Sequence, residues 1–145
     1  AQTTAVSGSQ ERLFALGSYL LIKGSRTYLN IELDLEPEWW PEYDIPLGPP
    51  VESAGTDIDT LYDPAMQLYR RDFSNGLVLV NPTTGLDDTG RTVALSLGGD
   101  YYLVQPSGGG LLPDNAVPSG TITYEKVDSL TLQPFSAAVL LSDLP

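Results

Sequence analysis

Residues 67–82, QLYRRDFSNGLVLVNP, constrain the fold of this chain more than any other stretch. Residues 68–73 and 77–81 have the two-residue alternation of extended chain and are rich in branched and aromatic side chains. Between these two arms, Asn75 and Gly76 tolerate the positive φ that a tight hairpin turn requires. The second arm is apolar on both faces, which predicts a strand covered on two sides. The sequence therefore predicts an antiparallel hairpin at the centre of a sheet.

The composition narrows the classes of function that are open to the chain. Its 145 residues suffice for one ordinary domain with a real core. Seven basic and 19 acidic residues give a net charge of -12, which repels nucleic acid backbones and anionic membrane surfaces. The lack of cysteine and histidine removes disulfides, thiolate and imidazole chemistry and the commonest transition-metal ligands. We therefore expect no nucleic acid partner, no membrane partner, no cofactor and no metal site.

The first residues do not predict a targeting signal. Residues 1–10 lack the basic beginning and the apolar middle of a signal peptide. No apolar run in the chain approaches the roughly 20 residues of a transmembrane helix. Residues 1–9 are small and polar, so we expect them to be a flexible lead-in.

A helix, a strand and an irregular loop are predicted for residues 10–50. Leucines and aromatic residues recur at intervals of three and four over residues 10–23, which predicts an amphipathic helix that Gly24 ends. Residues 27–35 alternate apolar and polar side chains, as in a strand with one buried face. Five prolines in residues 36–50 exclude a regular helix or ladder there. This part is predicted as a helix-strand-loop extension of a larger domain.

Short strands at hairpin spacing are predicted for the larger domain, residues 51–145. Residues 51–65 and 83–90 are rich in turn-forming residues, and residues 106–120 form a Gly/Pro-rich loop. Turns at 98–100 and 127–129 separate several of the remaining strands, which are predicted at residues 92–97, 101–105, 121–127, 129–133 and 137–141. Seven to eight short strands in this arrangement are typical of an antiparallel β-sandwich. The predicted fold class is mainly β, an antiparallel β-sandwich with one N-terminal helix.

Several of these segments resemble the C-terminal β-sandwich domain that follows the catalytic (β/α) barrel in glycoside hydrolases. The similar segments are YRRDFSNGLVLVNPTTG, residues 91–97, the glycine loop at 108–110 and the closing LTLQPFSAAVLLSD. Upstream, ALGSYLLIKGSRTYLNIEL resembles the last helix and strand of such a barrel, and EWWPEYDIPLGPP resembles the loop that leaves it. The sequence does not contain the earlier barrel strands that carry the catalytic acids in that family. No catalytic residue is therefore assigned.

The resemblance implies an accessory module of a secreted carbohydrate-active enzyme. Such a module is more readily non-catalytic than enzymatic. Two roles stay open for such a module, and a self-sufficient small hydrolase that depends on Glu36, Glu38 or Glu42 is a third hypothesis. The module contacts a polysaccharide or oligosaccharide through exposed aromatic rings, or it is a purely structural domain that buttresses a catalytic barrel or mediates self-association with a second copy. The structural role also predicts an exposed apolar patch along the helix at residues 10–23, where the barrel or the second copy would dock.

Aromatic rings beside polar side chains are the elements of a sugar-binding surface. Trp39, Trp40 and Tyr43 lie in the proline-stiffened loop and are interspersed with acidic residues. Tyr101 and Tyr102 are adjacent in a predicted strand, so they face opposite sides and we expect one of them to be exposed. The candidate carbohydrate-binding residues are Trp39, Trp40, Tyr43, Glu38, Glu42, Tyr101 and Tyr102. The alternative is that Trp39 or Trp40 fills the end of the sandwich or the helix groove, as large aromatic side chains usually do.

The charged residues form no strong catalytic or metal-binding pattern. Glycoside hydrolysis needs two carboxyl groups about 5–10 Å apart, one of them held protonated in an apolar setting. The loop acids nearest the aromatic residues are instead expected to be solvated, and these are Glu36, Glu38, Glu42 and Asp44. Two aspartate clusters lack the spacing of an EF-hand and are better explained by turns, namely Asp57, Asp59 and Asp63 and the pair Asp87 and Asp88. On the hairpin, Arg70 and Arg71 face opposite sides, and we expect one of them to form a surface ion pair.

Overall fold

The computed structural model describes residues 8–24, 27, 29, 37–52, 57–83, 92–112 and 119–145. These ranges contain one α-helix, eight β-strands and two short 3-10 helices, Pro41–Asp44 and Ile58–Leu61. The helix is α1 (Ser9–Ile22), and the strands are β1 (Glu38–Trp39), β2 (Tyr62–Asp63), β3 (Leu68–Phe73), β4 (Gly76–Asn81), β5 (Val93–Gly108), β6 (Gly110–Leu111), β7 (Gly120–Leu132) and β8 (Ser136–Leu141).

Six of these strands form a single antiparallel sheet in the order β2-β3-β4-β8-β5-β7. β1 pairs with β6 in a separate two-stranded ladder, so the prediction that residues 36–50 contain no ladder is wrong for the short stretch between Pro37 and Pro41. One apolar cluster lies between α1 and the sheet and includes Leu20, Val78 and Val139, while a second cluster on the other face includes Leu77 and Leu140. The prediction of a mainly β, antiparallel fold with one helix is confirmed, and the arrangement is consistent with a β-sandwich-like fold.

The central hairpin is confirmed. β3 and β4 pair from Tyr69 and Val80 to Phe73 and Gly76 around a two-residue turn. Every residue of β4 is buried, as its apolar pattern on both faces predicts, because β4 lies between β3 and β8 with apolar clusters on either side. Gly76 has a φ of 149°, and a Cβ there would collide with the carbonyl oxygen of Leu140 on β8. Only glycine allows the two strands to approach so closely at this point.

α1 begins and ends within one residue of its predicted bounds. At its start, the backbone N–H of Gly8 donates to the Glu11 carboxylate over 3.3 Å, which satisfies a backbone group at the helix end. The helix packs against its own sheet, mainly β8 and β4. A Cβ on Gly17 would lie 2.6 Å from that of Ala137, so this glycine sets the close approach of helix and sheet. Because the buried side of α1 faces its own sheet, the patch predicted along the helix for docking a barrel is largely covered; Ile22, 54% exposed, is the exception.

Two predicted turns are wrong. Residues 93–108 form one continuous strand, and residues 120–132 form another, where turns at 98–100 and 127–129 were expected. The register between β5 and β7 shifts between Ser96 and Tyr101, and Gly98 has a φ of 74°. A bulge therefore absorbs the glycines without breaking the ladder. The predicted loop at 106–120 is also shorter than expected, because its first residues extend β5 and Gly110–Leu111 forms β6.

Some predictions fall largely outside the described residues. Of the predicted strand at 27–35, only Thr27 and Leu29 are described, and of the predicted turn at 83–90, only Thr83. The flexible lead-in at 1–9 is described from Gly8 onward. The division into an extension at 10–50 and a domain at 51–145 stays a prediction, although one apolar cluster joins the helix, the loop and the sheet.

Candidate functional site

A groove of about 980 Å³ lies between α1 and the loop at residues 41–52. We call it the helix-loop groove. Its lining has an apolar base that includes Leu16, Leu20 and Phe73, and its volume is within the range of small-molecule sites. The polar and aromatic residues that line it are Tyr19, Lys23, Glu42, Tyr43 and Glu52. Prolines keep the loop irregular, and a 3-10 turn that begins with Pro41 presents Tyr43 at the groove.

Two tyrosines form the aromatic part of the groove. Tyr43 is 41% exposed, the most accessible of the predicted sugar-binding aromatics. Tyr19 is half-buried on α1, and its hydroxyl donates to the carbonyl oxygen of Thr27 over 3.0 Å. Aromatic rings at an open groove offer the apolar faces on which sugar rings stack.

Glu42 lies against the groove but is not solvated, contrary to the expectation for the loop acids. Its Oε1 accepts from Nε of Arg12 over 2.6 Å, and its side chain is 0% exposed. Its Oε2 is buried and has no donor among the described residues. Glu42 therefore anchors the loop to the first turns of α1 rather than standing on a surface, and its predicted place in an exposed sugar platform does not match this burial.

Trp40 is half-buried and packed on both an arginine and a glycine. The Arg12 guanidinium carbon lies 4.1 Å from the centre of its ring, a cation–π contact. Gly109 packs against the same ring so closely that a Cβ there would lie 2.6 Å from the ring atom Cε3. Of the two alternatives for Trp40, this packing favours the one in which the side chain fills a gap.

The other candidate residues do not line the groove. Glu38 and Trp39 form β1, where they pair with Leu111 and Gly110, and both are half-buried. Tyr101 and Tyr102 pack on different clusters, which confirms that they face opposite sides of β5. Both are half-buried, so the prediction that one of them is exposed is wrong, because each ring packs on an apolar cluster. Of the predicted set, only Glu42 and Tyr43 line the groove, while Trp40 meets Glu42 through their shared contact with Arg12.

Sequence reasoning missed a buried arginine that supports the groove. Arg71 is 2% exposed, and its Nη1 lies 2.9–3.0 Å from the carbonyl oxygens of Leu20, Leu21 and Lys23 at the end of α1. Its Nε faces Oε2 of Glu52 over 3.7 Å, too far for a hydrogen bond. The sequence signal was weak, because a charged residue in an alternating strand usually marks the wet face.

Arg70 forms the surface ion pair that was expected of one of the two arginines. Its Nη2 lies 2.8 Å from the Asp72 carboxylate, with both side chains partly exposed. The hydrogen bond and the charge of Asp72 raise the pKa of the Arg70 guanidinium.

Two of the aspartates proposed to form turns, Asp57 and Asp63, do so. Asp57 accepts from the backbone N–H of Asp59 over 3.1 Å, and Asp63 accepts from those of Ala65 and Met66. Within the described ranges, no three acidic, histidine or cysteine residues form a group suited to a metal ion. Asp87 and Asp88 lie outside these ranges. The described helices include none long and apolar enough to cross a membrane.

The comparison with family models gives one match. The model of hypothetical glycosyl hydrolase family 15 matches residues 1–77, which is more than half of the chain. The match covers α1, the groove loop and the first arm of the central hairpin. No curated protein and no solved structure matches the chain.

Proposed function

The chain belongs to hypothetical glycosyl hydrolase family 15, and from this premise we propose that it is a non-catalytic, carbohydrate-binding accessory module of a glycoside hydrolase. Its binding surface is the helix-loop groove, where Tyr43 and Tyr19 contact the sugar rings. The proposal also places the protein outside the cell, where polysaccharides are met as substrates, with a polysaccharide or oligosaccharide as its partner.

One observation carries this proposal: aromatic and acidic side chains line the same open groove. Tyr19, Tyr43 and Glu52 supply two aromatic rings and a carboxylate along one concave surface. Sugars present apolar ring faces bordered by hydroxyl groups, and this combination of side chains complements both features. The net charge of the whole chain, -12, does not suit the binding of a nucleic acid or an anionic lipid in the helix-loop groove.

The geometry supports binding rather than hydrolysis. A glycosidase needs two carboxyl groups that both reach the bond to be broken. The Glu42 carboxylate is fully buried and bound to Arg12, so it does not reach a substrate in the groove. Glu52 is then the single accessible carboxylate among the described residues that line the groove.

Affinity electrophoresis in gels that contain soluble β-glucan or xylan tests the proposal. The protein should be retarded by at least one polysaccharide, and Tyr43→Ala should weaken the affinity by about tenfold or more, because it removes an aromatic contact. Tyr62→Ala is the matched control, since Tyr62 is 38% exposed and lies on β2, outside the groove lining. Migration that no polysaccharide alters, or equal effects of the two substitutions, would contradict the proposal.

The second candidate is a purely structural domain that supports a catalytic barrel or associates with another copy. The packing of the half-buried Trp40 against Arg12 and Gly109 favours it, because such contacts stabilise the fold. The two candidates differ in one measurement: a structural domain shows no glycan affinity that depends on Tyr43.

A further inference from the structure

The carboxylates that line the helix-loop groove are each backed by a buried arginine. Glu42 is held by Arg12 over 2.6 Å, and Glu52 faces Arg71 over 3.7 Å. Both arginines are at least 94% buried at the side chain. The negative charges are therefore already balanced, and the groove does not require a cationic ligand.

Hydrogen bonding in the same place is incomplete. Oε2 of Glu42, Oε2 of Glu52 and Nε of Arg71 are buried, and none of the three has a hydrogen-bond partner among the described residues. A buried polar atom without a partner is unfavourable, so the Glu52 and Arg71 atoms favour a group that can complete them, whereas the fully buried Glu42 carboxylate is out of reach of a ligand. At the Glu52–Arg71 gap, the acceptor and the donor lie 3.7 Å apart, which is too far for a direct hydrogen bond and too close for another atom to lie between them, so a bridging group requires the Glu52 side chain to move.

A hydroxyl group is the simplest chemical group that completes both sides of this gap. Its O–H donates to the Glu52 carboxylate while its oxygen accepts from Nε of Arg71. An ammonium group offers only donors, and a carboxylate offers only acceptors, so each would leave one side unsatisfied and add a charge. Of this pair, Glu52 lines the groove and Arg71 does not. The Glu52 side chain is 37% exposed, so it can turn to admit such a group between the groove and the buried Arg71.

We propose that the helix-loop groove selects neutral, hydroxyl-bearing oligosaccharides, and that Glu52 is the residue that determines this specificity. The inference rests on the proposed function and adds the ligand class. Lys23 lines the same groove and can donate to further sugar oxygens. Together, Glu52 and Lys23 offer an acceptor and a donor. This pair suits a ligand whose hydroxyl groups can each donate and accept a hydrogen bond.

Calorimetric titration of the whole chain with four hexamers tests the inference. The probes are cellohexaose and xylohexaose, which are neutral, a glucosamine hexamer, which is cationic, and a galacturonate hexamer, which is anionic. We expect at least one neutral hexamer to bind about tenfold more tightly than both charged ones. Its affinity should change less than about twofold between roughly 50 and 500 mM salt, because no net charge is neutralised. Tighter binding of a charged hexamer would overturn the inference.

Substitution of Glu52 separates this inference from the proposed function. Glu52→Ala should weaken the binding of the neutral hexamer by about tenfold or more. The matched control is Glu125→Ala, which removes the same charge from an exposed position on β7 and should leave the affinity unchanged. If neutral hexamers bind but Glu52→Ala has no effect, the inference fails and the proposed function stands, with the gap filled by water alone. If no hexamer binds, both fail.

Discussion

Nη1 of Arg71 lies 2.9 Å from the carbonyl oxygen of Leu20, so a guanidinium on β3 caps the C-terminal end of the helix that packs on the sheet. The last carbonyl groups of a helix have no partner within the helix, and a positive charge near them is also favoured by the helix dipole. Here the arginine comes from a strand 50 residues further along the chain than Leu21, whose carbonyl it also meets. The contact joins the central hairpin, the helix and the groove in one arrangement.

Removal of this arginine should destabilise the fold. Arg71→Met leaves the helix carbonyls without their donor and Glu52 without its charge partner, and we expect a loss of about 3 kcal/mol in the free energy of unfolding. Arg70→Met is the matched control on the same strand. Its ion pair with Asp72 is partly exposed, so we expect a loss of at most about 1 kcal/mol. Urea unfolding of both variants measures the difference. Equal losses would show that the contact with the helix contributes no more to stability than the surface ion pair of Arg70.

The contact between Gly109 and Trp40 predicts a strong effect of a single methyl group. Gly109 has a φ of 87°, and a Cβ there would meet the Trp40 ring and the backbone of the β1 segment. Gly109→Ala should therefore lower the free energy of unfolding by about 2–3 kcal/mol. Gly99→Ala should change it by less than about 1 kcal/mol, because the nearest atom to its Cβ is 4.0 Å away. Thermal unfolding distinguishes the two, and a Gly109→Ala variant as stable as the parent would mean that Trp40 is free to move aside.

The buried pair of Arg12 and Glu42 predicts a pattern of loss and recovery. Glu42→Met leaves the Arg12 charge buried without a partner, which should cost about 3–5 kcal/mol. Replacement of both residues by methionine removes the unpaired charge as well, so the double variant should regain most of that loss. A double-mutant cycle, with Arg12→Met as the fourth corner, measures the coupling. Independent, additive losses would contradict a direct interaction.

The sequence indicated the parts of the fold that depend on local patterns. The apolar run at residues 77–80 predicted a strand buried on both faces, and the interval of leucines predicted α1, because both signals lie within the element itself. The bulge in β5 was missed because Gly98 and Gly99 give the same local signal in a turn as in a bulge. Only the pairing with β7, more than 20 residues away, decides between the two.

The candidate site was harder to predict, because its side chains meet across long separations. Tyr43 was predicted from its polar, proline-rich surroundings, and it does line an open groove. The burial of Glu42 depends on Arg12, 30 residues earlier, and nothing in the loop itself signals that contact. Glu52 went unnoticed and the burial of Arg71 was missed for the same reason, since a lone glutamate in a proline-rich loop and an arginine in a strand are ordinary surface residues by pattern.

The pairing of β4 with both β3 and β8 bears on where the folding unit of this protein ends. The matched family region stops at residue 77, just after β4 begins, whereas β4 supplies the hydrogen-bonding partner of both β3 and β8. A fragment cut at that residue would leave β3 with an open edge and α1 without most of the surface that it covers. The segment that similarity delineates is therefore shorter than the segment that can fold, and boundaries for expression or domain exchange belong beyond β8.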